Sequence, residues 1–122
     1  MTATTQPESM LPLTPAVFHI LLALADEERH GYGIMQEVEK NTNGAMRLGP
    51  GTLYGSIKRM LAAALIIEVD ERPDSDQDDP RRRYYRLTDL GQRVARAEAE
   101  RLANLVQQAQ AKQLLPDGGA AA

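Results

Sequence analysis

The chain has 122 residues, which is enough for one compact domain and an additional helix, and its formal net charge is −3. It has no cysteine, which excludes disulfides and thiolate metal sites, and its two histidines, His19 and His30, argue against a zinc or iron site. Because residues 1–10 lack the layout of a signal peptide and no apolar run, such as 20–25, is long enough to cross a bilayer, we expect a cytoplasmic protein without metal, cofactor or membrane contact.

The first predicted helix begins after Thr14, whose side chain can cap it. Pro15 takes the first helical position, where its missing N–H costs nothing. Residues 17–24 are apolar almost all round, so we expect this helix to be buried on more than one side. The acidic residues 26–28 then end the helix in a polar turn.

The second and third predicted helices follow. The second begins at Gly31 and stops at Asn43 and Gly44, two residue types that tolerate the left-handed backbone conformation. The third covers residues 50–64, and its apolar side chains fall at i, i+4, i+7, i+8 and i+11, which is one helical face. These apolar residues are Leu53, Ile57, Met60, Leu61 and Ala64.

After the third helix the apolar residues alternate, which predicts a two-stranded hairpin, or wing, over residues 67–87. Thr88 then caps a long last helix. Three helices followed by a ribbon is the order of a winged helix-turn-helix domain, a mainly α fold of the α+β class. We therefore predict four regions: a flexible N-terminal segment at 1–12, a winged helix-turn-helix domain at 13–87, a dimerisation helix at 88–113 and a disordered tail at 114–122.

The third helix has the composition of a helix that reads DNA. The residues away from its apolar face are small, polar or basic, and none is acidic: Thr52, Tyr54, Gly55, Ser56, Lys58 and Arg59. Small residues let the backbone approach phosphates closely. The helix N-terminus, the hydroxyl groups and the cations can all bind a phosphate. An ordinary solvated surface helix has the same pattern, so this helix alone leaves both interpretations open.

A second basic cluster, Arg81, Arg82 and Arg83, lies in the predicted wing, from which it can reach the DNA backbone or the minor groove. Local patches of basic residues matter more for DNA binding than the negative net charge of the chain, because phosphate neutralisation acts over about a Debye length. The alternative is that these arginines neutralise the neighbouring acidic stretch 74–79, whose own role stays open.

His30 and Tyr32, at the start of the second helix, are the residues that could suggest catalysis. A lone histidine directly before a helix is usually structural, and no serine or cysteine nucleophile accompanies His30 in the sequence. We therefore interpret His30 as structural and expect no enzyme.

Three blocks of sequence together resemble the PadR family of transcriptional regulators. They are His30-Gly31-Tyr32-Gly33-Ile34, then LGPGTLYGSIKRMLAAAL at 48–65, then RRYYRLTDLG at 82–91, and they keep the order and spacing of that family. The resemblance extends over about residues 13–105. It implies a homodimeric repressor that binds a pseudo-palindromic operator in double-stranded DNA, in the small subclass with one C-terminal helix.

By motif position, the resemblance places the family's DNA contacts on Thr52, Tyr54, Ser56 and Lys58 of recognition helix 50–64. It adds Tyr32 as a phosphate contact and Arg81, Arg82 and Arg83 in wing 67–87. Some small members of the family hold flat aromatic ligands between aromatic side chains of the dimer helix. This last helix has no aromatic residue and is rich in alanine, which does not favour such a cavity, and a small-molecule effector of another kind stays open.

The last helix carries an apolar seam that the small winged domain cannot cover. The seam comprises Leu90, Val94, Ala97, Leu102, Leu105 and Val106, and the best inward stripe comprises Ala95, Ala99, Leu102, Val106 and Ala109. Charged residues such as Glu98 and Arg101 are expected to keep the other faces in solvent. We predict that the helix pairs with a second copy and with Phe18 and Leu22 of the first helix. The alternative is packing within the chain, against the first helix.

Two other functions remain open at this point. One is a winged-helix module that binds protein and no operator, and the other is a dimer that carries a ligand, or acts on one, in the cleft between its subunits. The sequence names neither the operator nor the target genes, and repression as against activation rests on the family resemblance.

Overall fold

The computed structural model describes residues 6–69 and 83–116. Helices α1 (Pro15–Leu24), α2 (Gly31–Asn41) and α3 (Pro50–Ala62) precede strands β2 (Ile66–Val69) and β3 (Tyr84–Leu87), and helix α4 (Asp89–Ala111) follows them. A short strand, β1 (Arg29–His30), lies between α1 and α2, and a 3₁₀ turn (Pro7–Met10) precedes α1. This is the predicted α+β winged helix-turn-helix architecture.

Helix α1 lies in the centre of the core. Its start is as predicted, because the Thr14 hydroxyl accepts a hydrogen bond from the Val17 N–H at 3.2 Å. Ile20 and Leu21 are fully buried, and Leu24, the last helical residue, is 3% exposed. Helices α2, α3 and α4 and strand β3 all pack against α1. A helix that is apolar on nearly every side therefore has a neighbour on most of them.

The sheet has a third strand that the sequence analysis missed. β3 lies in the centre, with β1 antiparallel on one side and β2 antiparallel on the other. His30 pairs with Tyr84, and Ile66 pairs with Leu87. A strand of two residues is too short to show an alternating pattern in the sequence. Only its pairing with β3 identifies it as a strand.

Arg29, in β1, connects the end of α1 to α2 through a hydrogen bond and an ion pair. Its Nε donates to the carbonyl of Ala23 at 2.7 Å, which satisfies one of the free carbonyls at the end of α1. Its guanidinium also lies 3.5 Å from the carboxylate of Glu37 in α2. Both side chains of this pair are largely buried, so the contact stabilises more than an exposed pair would.

Residues 6–12, the described part of the predicted flexible segment at 1–12, make tertiary contacts. The 3₁₀ turn Pro7–Met10 packs against α4, and the Leu13 N–H donates to the Glu98 carboxylate at 3.1 Å. Glu98 was expected in solvent, and that prediction is wrong, since its side chain is 2% exposed. Arg101 completes the site by donating its Nε to Glu98 at 2.6 Å. A buried carboxylate is tolerated here because its oxygens accept from a cation and from a backbone N–H.

Removing the charge of Glu98 is expected to destabilise the fold at neutral pH. The hydrogen bonds from Arg101 lower the pKa of Glu98 below its usual 4.5, against the opposing effect of burial. A lowered carboxyl pKa contributes stability that is present above pH 4.5 and is lost as the pH falls towards the lowered value. Glu98→Gln should therefore cost about 2 kcal/mol at pH 7 and less at pH 3.

Denaturant unfolding of the two proteins between pH 7 and pH 3 measures this difference. Glu100→Gln is the matched control, because Glu100 is exposed on the same helix and should change stability little at any pH. A free-energy difference between native protein and Glu98→Gln that stays constant across this range would contradict the prediction.

Candidate nucleic-acid interface

Helix α3 has a buried apolar face and an exposed face that carries no acidic residue. Leu53, Ile57 and Met60 are between 0% and 2% exposed and pack in the core. Thr52, Lys58 and Arg59 are exposed. The helix contains no aspartate or glutamate, so its exposed face has the charge that suits a phosphate backbone.

The start of α3 leaves backbone groups accessible. Gly49 is the N-cap residue and makes no side-chain capping bond, and Pro50 follows it at the first helical position. A Cβ built on Gly51 would meet no atom of the described residues within 4 Å, so the described surface there is open. Free N–H groups at a helix N-terminus together with an open approach are suited to a phosphate oxygen.

Ser56 is placed differently from the prediction. Its side chain is 1% exposed, so it faces the core and lies outside the surface that α3 presents. Arg59 donates to its hydroxyl at 3.4 Å and thereby lies back along the helix. The sequence analysis placed Ser56 away from the apolar face, and that placement is wrong. Ser56 follows Leu53 by three residues and precedes Met60 by four, so it lies beside the apolar face, where the neighbouring elements bury it.

Tyr54 is half-buried between α3 and the start of α2. A Cβ built on Gly31 would come within 2.4 Å of its hydroxyl oxygen and 2.8 Å of the ring carbon that carries it. Gly31 therefore leaves the space that the tyrosine ring occupies, a role that the sequence analysis did not assign. Only the general rule that glycine marks a close approach could have indicated it.

The start of α2 carries an exposed tyrosine beside a structural histidine. His30 caps α2, since its Nδ1 accepts from the Gly33 N–H at 2.9 Å, as the interpretation of His30 as structural requires. Tyr32 is 57% exposed and stacks on the His30 ring at 6.5 Å between centroids. Tyr84 of β3 meets the same ring edge-on at 5.2 Å. His30 thus links the start of α2 to the base of the wing.

The wing is described only at its base. Arg81, Arg82 and the acidic stretch 74–79 lie outside the described residues. Arg83 is exposed, and its guanidinium lies 3.0 Å from the carboxylate of Glu68 across the hairpin. This exposed pair is worth little energetically, so Arg83 can exchange Glu68 for another anion at low cost.

The predicted dimer residues fall into three groups. Val94 is fully buried within the chain, so the prediction that it lies in a dimer interface is wrong. Leu90 and Ala95 are partly buried against the core, and the side chains of Phe18, Leu102 and Ala109 are half-buried. Leu22, Leu105 and Val106 remain 42–46% exposed, and Ala99 is exposed as well. The second half of α4 therefore presents apolar side chains that no residue in the described part of the protomer covers.

Among the residues that the structure describes, no group of three or more His, Cys, Asp or Glu is arranged to hold a metal ion. No helix in the part of the chain that the structure describes is long and apolar enough to span a membrane.

The sequence is similar to a family of transcriptional regulators and to individual bacterial proteins. The model of the Transcriptional regulator PadR-like family matches residues 20–97. A transcriptional regulator of Mycobacterium tuberculosis is 36% identical over 83 residues, which cover 68% of this chain and 70% of that protein. A 37.1 kDa protein of a transposon in Streptomyces fradiae is 36% identical over 86 residues, which cover 70% of this chain and 22% of that longer protein.

A solved structure of a PadR family transcription regulator from Clostridium difficile has the same fold. It superposes with a TM-score of 0.67 at 21% sequence identity, over 82% of this chain and 99% of that one. At this level of identity the likeness concerns the fold, and the match to the family rests on the sequence comparisons.

Proposed function

The chain belongs to the PadR-like family of transcriptional regulators, and from that premise we propose that it acts in the cytoplasm as a homodimeric repressor and not as an enzyme. In this proposal the winged domain at 13–87 binds one half of a pseudo-palindromic operator, and the helix at 88–113 joins two copies. No cofactor is required. The observation that carries the proposal is the exposed face of α3, which lacks acids and offers Thr52, Lys58 and Arg59.

We assign the contacts by exposure and chemistry. Lys58 and Arg59 supply positive charge, and Thr52 and Tyr54 supply hydroxyl donors near the start of α3. Tyr32 adds a phosphate contact from α2, and Arg83, with Arg81 and Arg82, contacts the backbone or minor groove from the wing. Ser56 is left out, because its side chain is buried.

Dimerisation through α4 is supported by an apolar stripe that is partly exposed. Ala95, Ala99, Leu102, Val106 and Ala109 are separated alternately by four and three residues, the spacing that aligns two helices along a common seam. Leu105 and Val106 are both more than 40% exposed in the protomer, and burying them would be favourable. A two-fold dimer would present two α3 helices to successive major grooves, about 34–36 Å apart.

The test is selection of binding sites from random-sequence DNA, followed by titration at several salt concentrations. We expect a selected palindrome, with log K falling by roughly five to eight per decade of salt. Competition by unrelated duplex DNA should be weak at moderate salt. Failure to select any sequence at low salt would overturn the proposal and favour a module that binds protein.

Gly31→Ala is expected to weaken binding to the selected operator about threefold to tenfold. The added methyl group would overlap the hydroxyl of Tyr54 and push the ring out of its place between α2 and α3. Gly33→Ala is the matched control, because a Cβ there meets His30 at an ordinary 3.4 Å. DNA titration together with denaturant unfolding measures the effect. Equal affinity of the Gly31→Ala and Gly33→Ala proteins would show that the position of Tyr54 does not matter for binding.

A further inference from the structure

The turn that ends helix α3 is hydrogen-bonded directly to the N-cap residue of helix α4. Ala64 has a φ of +62°, and the Leu65 N–H donates to the Met60 carbonyl at 2.9 Å, so the chain turns sharply after α3. Thr88, the N-cap of α4, donates its N–H to the Leu65 carbonyl at 3.0 Å and its hydroxyl to the Ala64 carbonyl at 2.6 Å.

The same threonine also caps α4. Its hydroxyl oxygen accepts a hydrogen bond from the Gly91 N–H at 2.9 Å. One side chain therefore binds the backbone at the end of α3 and the backbone at the start of α4. Because hydrogen bonds are directional, this arrangement fixes an angle between the two helices as well as a distance.

Gly91 brings the two backbones into contact. A Cβ built on this residue would lie 2.0 Å from the Leu65 carbonyl oxygen and 3.0 Å from its carbon. The obstacle is backbone, which cannot move aside as the end of a flexible side chain can. Any other residue at this position would force α4 away from the turn that ends α3.

We propose that Thr88, Gly91 and the Ala64-Leu65 turn form a joint that sets the separation and tilt of the two recognition helices in the dimer. The joint thereby determines which half-site spacing the protein accepts. This inference rests on the proposed function, because it requires that α3 lies in the major groove and α4 in the dimer interface. Thr88 and Gly91 are then positioning residues, which act on DNA through the placement of α3.

The physical argument follows from the geometry of two-fold binding. Pairing of α4 with its copy fixes that helix near the symmetry axis, and the groove fixes α3, so the link between the two helices must match the half-site separation. The core around α1 also connects the two helices, and the joint adds hydrogen bonds whose directions restrain the angle between them. Binding of both halves at once gains affinity over one half only when the geometry permits both.

The experiment compares affinities for a full site and a half-site. The probes are the palindrome that the native protein selects from random DNA, its isolated half, and palindromes whose halves are moved by one or two base pairs. The variants are Thr88→Val, which keeps the shape and loses the hydroxyl, and Gly91→Ala. Their controls are Thr88→Ser, which keeps the hydroxyl, and Gln92→Ala, at an exposed position of α4.

We expect Thr88→Val to keep the half-site affinity and the dimer but to lose about threefold to tenfold of full-site affinity, with weaker discrimination between spacings. Gly91→Ala should show a larger loss, or a shifted preferred spacing, and both controls should behave as the native protein. Denaturant unfolding confirms that each variant is folded at the assay temperature, and Thr88→Val remains informative if Gly91→Ala does not fold.

Two results would overturn the inference. A folded Thr88→Val dimer with the native ratio of full-site to half-site affinity and the native spacing preference would show that the core, and not the joint, sets the geometry. A native protein that selects no sequence would overturn the proposed function together with the inference. The two failures are distinguishable, because only the second affects the native protein.

Discussion

Replacing Val106 by glutamate is expected to produce a monomer that binds the selected palindrome at least about a hundredfold more weakly than the native protein. Val106 is 44% exposed and lies on the stripe of α4 that we assign to the dimer interface. In a two-fold dimer the substitution places a carboxylate from each copy in the apolar seam, where it has no cation to pair with. Burying such charges costs more than the interface gains, so the two copies separate.

Sedimentation equilibrium and DNA titration measure the two parts of this prediction. Gln107→Glu is the matched control, because it makes the same charge change at an exposed position one residue further along α4 and off the stripe. It should leave both the dimer and the operator affinity unchanged. A Val106→Glu protein that is still dimeric, with native affinity, would place the interface elsewhere in the chain.

Reversing the charge of Lys58 is expected to lower operator affinity about tenfold or more at moderate salt. Each dimer carries two copies of this exposed side chain, and each copy is proposed to neutralise one phosphate. The dependence of log K on log salt should fall by roughly two, because each lost phosphate contact removes about 0.9 from the slope. Lys58→Glu should affect all duplexes, since phosphate contacts carry little sequence information.

Lys40→Glu separates a contact at α3 from a general effect of net charge. Lys40 is exposed near the end of α2, at the far end of that helix from Tyr32, and its reversal changes the net charge of the protein equally. We expect Lys40→Glu to retain most of the native affinity and salt dependence. Equal losses in the Lys58→Glu and Lys40→Glu proteins would show that long-range charge, and not the α3 surface, governs binding.

Local signals predicted the helices of this protein correctly. Thr14 caps α1 and Thr88 caps α4, as the sequence analysis expected, and the positive φ values of Asn43 and Gly44 follow the predicted stop of α2. Leu53, Ile57 and Met60 of the predicted apolar face of α3 also lie in the core, whereas Ala64 is exposed and lies beyond the end of the helix. Caps, stops and helical periodicity act over a few residues, so they can be recognised without knowledge of the fold.

The tertiary structure decided what depends on residues distant in the chain. Strand β1 exists through its pairing with β3, and Glu98 lies in the interior, where the Leu13 N–H, 85 residues away, donates to its carboxylate. Val94 was assigned to a partner and instead fills the core of its own chain.

The same distinction holds at the candidate interface and at the joint between α3 and α4. Helical spacing gave α3 an apolar and a polar face, but the neighbouring elements determined that Ser56 lies on the inner side of their boundary. Gly31 accommodates Tyr54, and Gly91 contacts the Leu65 carbonyl, through approaches that join separate elements. The sequence by itself therefore determined which segments are helical and which of their faces are apolar, because those properties are local. Which face meets which neighbour required the folded chain, because burial and close approach depend on atoms that only folding brings together.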